Sequence, residues 1–213
     1  MASRSFAVIP ALAFSLASWL ALLQPAGATE AGPAAETDGY DYYAIGDLEA
    51  TTPGKVEPGL MLMGGGEWAK EAFRWLADRS GNGHVVILRA SGAENAQREF
   101  YEDIGGIVSA QTLVFHGRAP ASDPRVLEIV RKADGIFIAG GDQSRYVRYW
   151  KGTPLNDAIN AHVRAGKPLG GTSAGLAIMG AYSYGAMDGG SLTSAAALRD
   201  PLGPSVTLVD DFL

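Results

Sequence analysis

Cysteine is absent from all 213 residues. That excludes disulfides, a thiol nucleophile and any thiolate metal site, so the fold must rest on its buried core. Histidine is scarce, with only His84, His116 and His162 in the chain. A hydrolase that needs an imidazole base has only these to draw on. Basic residues are the minority, 17 Lys and Arg against 23 Asp and Glu, giving a net charge of −6. No basic cluster supplies the positive surface a nucleic-acid binder uses, so no nucleic-acid partner is expected. A local basic pocket is still compatible with this balance. Charged residues make up 19% and hydrophobic ones 47%, which is the balance of a globular chain rather than a disordered one. The length suffices for one domain with a real core.

What is present begins with a targeting pattern. Phe6 to Leu23 is an almost unbroken apolar run behind Arg4, and Ala26-Gly27-Ala28 fits the small-residue cleavage rule. We read residues 1–28 as a signal peptide cut after Ala28, which implies a secreted or periplasmic protein. An uncleaved anchor is the alternative, since the run is long enough to span a bilayer. Pro10 and the cleavage pattern favour removal, after which no stable membrane association is expected. Residues 29–58 carry Glu30, Glu36, Asp38, Asp41, Asp47 and Glu49 among Ala, Gly, Pro and Thr. They read as a flexible acidic leader, with Tyr40, Tyr42 and Tyr43 available to dock it. The folded domain is expected over 59–213.

From Gly59 onward, strand-like and helix-like segments alternate. Strands are expected at Leu60–Met63, Val85–Leu88, Leu113–Phe115, Gly135–Ala139 and Pro168–Gly170. Helices are expected at Trp68–Arg79, Ala93–Ile104, Pro124–Lys132 with Ser122 as its cap, Gln143–Trp150 and Pro154–Ala165, and over Leu176–Met179. Strand, crossover helix, strand predicts an α/β fold: a parallel sheet with helices on both faces. Such sheets bind ligands beyond the carboxyl ends of their strands. That edge would gather Gly64-Gly65-Gly66, Arg89 to Glu94, His116-Gly117, Gly140-Gly141-Asp142-Gln143 and Thr172-Ser173-Ala174.

Gly171-Thr172-Ser173-Ala174-Gly175 has the form G-x-S-x-G between a short apolar run and a helix-like run. This is the pattern of a nucleophile elbow, in which the serine hydroxyl stands exposed on a tight strand-to-helix turn. A small-residue turn without chemistry shares the same pattern. The N–H groups of Gly141 and Ala174 are suited to an oxyanion hole, and Asp142 and Gln143 to a substrate amide or amine. Asp142 serves equally as a plain helix cap. Gly64-Gly65-Gly66 lacks the Lys and Ser/Thr of a phosphate loop and reads as cleft lining or a tight turn. No metal or other cofactor is expected. Of the histidines, His84 begins a strand on the side away from the cleft, and His162 lies within a helix. His116 ends a strand on the cleft side and is the one candidate base. None follows Ser173.

The two loops Gly140-Gly141-Asp142-Gln143 and Gly170-Gly171-Thr172-Ser173-Ala174-Gly175 together resemble the cyanophycinase branch of the serine peptidases related to dipeptidase E. Met63 to Glu67, Asp188 to Ser191 and Val206 to Leu213 extend the likeness across Gly59 to Leu213. The resemblance implies a three-layer, flavodoxin-like core shared with class I glutamine amidotransferases, with serine in place of cysteine and no metal. It implies Ser173 as nucleophile, Gly141 and Ala174 as the oxyanion hole, and Gln143 lining the substrate pocket; the reading of the loops themselves adds Asp142, Gly65 and Gly66 as substrate-binding residues. It implies a peptide or polymer substrate cut at aspartyl residues, of the kind in which arginine is carried on each aspartate side chain. An exported enzyme suits so large and insoluble a polymer. The analogy extends to a homodimer.

In that family the histidine lies in an Asp-x-His-Phe-like segment beyond the Asp-Phe-Leu region, where this sequence stops. Asp188 is the candidate acid partner. The expectation is a fragment of a longer protein. The alternatives are a naturally short, binding-only relative on the same fold, or an esterase of the α/β-hydrolase type.

Overall fold

The computed structural model describes residues 39–92, 96–189 and 192–213. The expected signal peptide and the start of the acidic leader lie outside the described residues. Eight strands are described: β1 Tyr40–Gly46, β2 Leu60–Met63, β3 His84–Arg89, β4 Ser109–Phe115, β5 Gly135–Ile138, β6 Leu169–Thr172, β7 Tyr182–Tyr184 and β8 Leu208–Asp210. Seven α-helical segments are described among them: α1 Lys70–Arg79, α2 Ala96–Arg98, α3 Pro124–Lys132, α4 Gln143–Trp150, α5 Pro154–Arg164, α6 Ala174–Ala177 and α7 Ser194–Arg199. A π-helical turn, Glu99–Ile104, continues α2 and ends on the bond from Gly105 N–H to the Phe100 carbonyl.

The main sheet runs β1-β4-β3-β5-β6-β2. β2, β3, β4, β5 and β6 are parallel, and β1 closes one edge antiparallel to β4. β7 and β8 form a separate antiparallel pair. Side chains alternate across the sheet. Val86, Leu88, Ile136 and Ile138 point to one face, where they pack with Val126 and Val130 of α3, Trp150 of α4 and Ile159 of α5. Val85, Ile87 and Phe137 point to the other, against Phe73 and Leu76 of α1 and Phe100 of the π turn. There the rings of Trp68 and Phe73 stack at 4.2 Å, and Phe137 meets Phe73 edge-on at 5.1 Å. Strands buried on both faces are the reason β3 and β5 read as unbroken apolar runs. The α/β class and the helix–sheet–helix layering are those expected from the alternation of segments.

Three local differences from expectation have physical causes. Tyr40–Gly46, read as leader, is an edge strand paired from Tyr40↔Phe115 to Gly46↔Ser109. Its Tyr40, Tyr42 and Ala44 are buried while Asp41 and Tyr43 are half-exposed, a period-two pattern that the surrounding acids obscured. The folded domain therefore includes Tyr40 and does not start at Gly59. The cap of α3 is Asp123, not Ser122. The Asp123 carboxylate accepts from Arg125 N–H at 2.7 Å, while Ser122 ends a preceding 3₁₀ turn. The short helix after the serine is Ala174–Ala177, two residues earlier than expected, so that it starts directly on the serine.

Candidate active site

The parallel strands end together at Met63, Arg89, Phe115, Ile138 and Thr172, and the loops leaving this edge carry the candidate chemistry. β6 ends at Thr172, Ser173 takes φ 51° and ψ −117°, and α6 begins at Ala174. A positive φ is costly for a serine and persists only where the surroundings impose it. Here two glycines impose it. A Cβ on Gly171 would lie 2.8 Å from the Gly175 backbone, and one on Gly175 would lie 2.0 Å from the Ile138 carbonyl oxygen. Neither position admits a side chain, so β6 and α6 close tightly on β5 and lift Ser173 to an exposed position. The turn is also tied to β2. Ser173 N–H donates to the Met63 carbonyl at 3.1 Å, and the buried Thr172 hydroxyl donates to the Gly64 carbonyl at 2.8 Å.

Two further glycines flank the serine. A Cβ on Gly65 would meet Ser173 Oγ at 3.4 Å, and one on Gly140 would meet Ser173 Cβ at 3.3 Å. Gly66 stands further out, exposed at φ +121°, with no atom within 4 Å of where its Cβ would be. The structure thus brings Gly65, but not Gly66, against the serine. Gly141 has φ +146°, and a Cβ there would lie 2.5 Å from Ser91 Oγ. Neither the Gly141 N–H nor the Ala174 N–H donates to another described residue. The latter opens α6, where helix geometry leaves the first N–H groups without an internal acceptor.

Asp142 and Gln143 follow. The Asp142 carboxylate accepts from Ser144 N–H at 2.9 Å and so caps α4. Its partial burial works to raise its pKa. The hydrogen bonding with Ser144 and the charges of Arg145 and Arg148 outweigh this and hold it below the usual carboxylate range. Gln143 is half-buried and, with Gly141 and Asp142, lines a cavity of about 580 Å³.

Two residues that the sequence did not single out support this loop. The buried Tyr146 hydroxyl lies 2.7 Å from the Ala139 carbonyl and 3.1 Å from that of Gly140, sharing its proton between them. Burial pushes its pKa well above that of an ordinary phenol. Ser91 fills the space behind Gly141, and its carbonyl accepts from Arg89 Nε at 3.0 Å. Tyr146 sits at apolar helical spacing and reads as core; only the loop's three-dimensional path shows its role.

None of the histidines stands at Ser173. His84 lies at the start of β3, the opposite end of the sheet, bonded to Ser109 Oγ and the Ala50 carbonyl. His162 is buried, with Nε2 donating to the Pro168 carbonyl at 3.0 Å. His116 is on the correct edge, but β4 is three strands from β6, about 14 Å by strand spacing. There its Nε2 meets Asp41 at 2.8 Å. Among the described residues, no cluster of His, Asp and Glu is placed to hold a metal ion. Asp188, the candidate acid, lies in the segment after β7.

The family model of peptidase family S51 matches residues 60–198. A cyanophycinase of Trichormus variabilis is 28% identical over 144 residues, covering 62% of this chain and 48% of that protein. A cyanophycinase of Synechococcus elongatus is 37% identical over 99 residues, covering 45% of this chain and 31% of that protein. The chain therefore spans about half or less of the length of these curated relatives. The crystal structure of a peptidase from an acI-B1 Actinobacterium aligns with a TM-score of 0.49 at 26% identity, over 61% of this chain and 59% of that one.

Proposed function

Because the chain belongs to peptidase family S51, we propose that it is a serine-type peptidase of the cyanophycinase kind with Ser173 as its nucleophile. The observation that carries this reading is the elbow itself. Ser173 is exposed in a backbone conformation that Gly171 and Gly175 enforce, between Gly65 and Gly140, at the first turn of a helix. In the proposed reaction Ser173 Oγ attacks the carbonyl carbon of an aspartyl peptide bond as its proton passes to a base. The negative oxygen of the tetrahedral intermediate accepts from the N–H groups of Gly141 and Ala174. The intermediate collapses, the C–N bond breaks and the amine leaves with a proton. Water then hydrolyses the acyl-serine ester and frees the carboxylic acid. Asp142 and Gln143 line the adjoining cavity that takes the substrate, with Gly65 leaving room beside the serine. Residues 1–28 direct the protein out of the cytoplasm in this reading, where a polymer of aspartate and arginine is an accessible substrate.

The test is labelling with a fluorophosphonate together with hydrolysis of β-aspartyl-arginine peptides. Ser173→Ala is expected to remove both while the circular dichroism spectrum stays the same. Hydrolysis that survives in Ser173→Ala sinks the proposal.

A second reading has one observation in its favour: all three histidines are engaged away from Ser173. It makes the chain a binding-only relative, which would bind such peptides but neither label nor turn them over.

A further inference from the structure

The cavity beside the β5–α4 loop holds two charged groups whose situations differ. It measures about 580 Å³ and reaches Gly141, the residue after Gly140, whose Cβ would lie 3.3 Å from Ser173 Cβ. One wall is the start of α4, with Asp142, Gln143, Ser144 and Arg148; the facing wall carries Tyr184 and Leu192. The Asp142 charge is already answered. One oxygen accepts from Ser144 N–H, and the other lies 3.7 Å from Arg145 Nε. The Arg148 charge is felt by Asp142, but its hydrogen bonds go only to neutral groups: Nη1 donates to Ser144 Oγ at 3.2 Å and Nη2 to the Met187 carbonyl at 3.3 Å. Among the described residues no carboxylate lies within ion-pair distance of its guanidinium. These two bonds hold the side chain between α4 and the segment after β7. A guanidinium has more donors than two neutral contacts use, in a planar fork that matches a carboxylate. Holding it in place beforehand lowers the ordering cost of binding.

We propose that Arg148 is a specificity-determining residue and that this cavity takes a substrate segment bearing a carboxylate. The inference rests on the reading of Ser173 as the nucleophile, since the cavity reaches the serine only through the adjacent pair Gly140-Gly141. The carboxylate comes from the residue next to the scissile bond. A cationic segment drawn to Asp142 would meet both Arg145 and Arg148 and is disfavoured there.

The test uses the full chain carrying Ser173→Ala, so that ligand persists. Calorimetric titration compares an acetylated β-aspartyl-alanine peptide, its aspartyl α-carboxyl amidated and its alanine carboxylate free, with the same peptide amidated at the alanine as well. The acid is expected to bind at least tenfold tighter than the amide. Adding Arg148→Gln is expected to abolish that preference, and Arg148→Lys to keep part of it. The lysine variant decides the matter if the glutamine variant does not melt cooperatively. An unchanged preference in the variants, an equal loss for both peptides, or no binding of either peptide to the Ser173→Ala chain overturns the inference. The two readings separate cleanly. Peptide binding that ignores Arg148, in a protein whose Ser173 is acylated, removes this proposal alone. Binding that depends on Arg148, in a protein whose Ser173 never reacts, removes the peptidase reading alone.

Discussion

Gly175 is the position least able to change. Its Cβ would stand 2.0 Å from the Ile138 carbonyl oxygen, a backbone atom that cannot turn aside. Gly175→Ala is therefore expected to lower stability by about 2 kcal/mol or more, as overpacking does. It should also abolish reactivity at Ser173 in whatever fraction still folds. Denaturant titration and labelling of the same sample check both parts, and a variant of wild-type stability would contradict the steric account. His162 makes a different residue-scale prediction. Desolvation by burial lowers its pKa to about 4. The unfolded chain therefore takes up a proton near pH 6.5 that the folded chain refuses until about pH 4. Stability from this residue is intact above pH 6.5 and falls as pH drops toward 4, by up to about 3 kcal/mol in all. His162→Gln, which keeps a donor for the Pro168 carbonyl, is expected to flatten that fall. Denaturant midpoints measured between pH 4 and 7 for both proteins decide it.

Among the elements, β1 changes the picture of the domain most. It buries Tyr40, Tyr42, Ala44 and Ile45 and satisfies the edge of β4. A chain beginning at Gly59 would expose that edge and lose on the order of 5 kcal/mol of apolar burial. It is expected to aggregate or fail to melt cooperatively, whereas a chain beginning at Gly39 should fold; thermal melts of the two compare them directly. The strand was hard to read because its alternation is local and short, while the acids around it have the composition of a linker. The core strands were legible for the opposite reason: burial on both faces makes β3 and β5 continuous apolar runs. The elbow and the Gly140–Gln143 loop were legible because each is a pattern of adjacent residues. What Ser91 and Tyr146 do was not legible, because both act on a loop that reaches them only through the sheet's order. That order, which places β6 between β5 and β2, is a non-local fact no short window carries.

At the scale of the molecule the sheet has two working ends. The carboxyl end of the parallel strands presents Ser173, Gly65, Gly140 and Gly141. The other end holds Asp134, whose Oδ2 accepts from the Thr52 hydroxyl at 2.6 Å and from His84 N–H at 2.9 Å. That carboxylate fastens the segment between β1 and β2 to the sheet. Asp134→Ala is expected to cost about 1–3 kcal/mol of stability by leaving donors unmet. Labelling of Ser173 per folded molecule should not change, because the sheet's length separates the two ends. A proportional fall in labelling would show that the ends are coupled.

The bond from the Thr172 hydroxyl to the Gly64 carbonyl joins residues 108 positions apart. Loops that long close late, after local helices and turns have formed. The serine's surroundings thus have a history as well as a geometry. A chain part-way through folding holds the Ser173 turn's own sequence but not the strand that braces it. Ser173 should stay inert until the outermost parallel strand docks, so reactivity would emerge abruptly with the last refolding phase. On the proposed reading, a chain still in transit or only partly assembled would have no means of cutting anything.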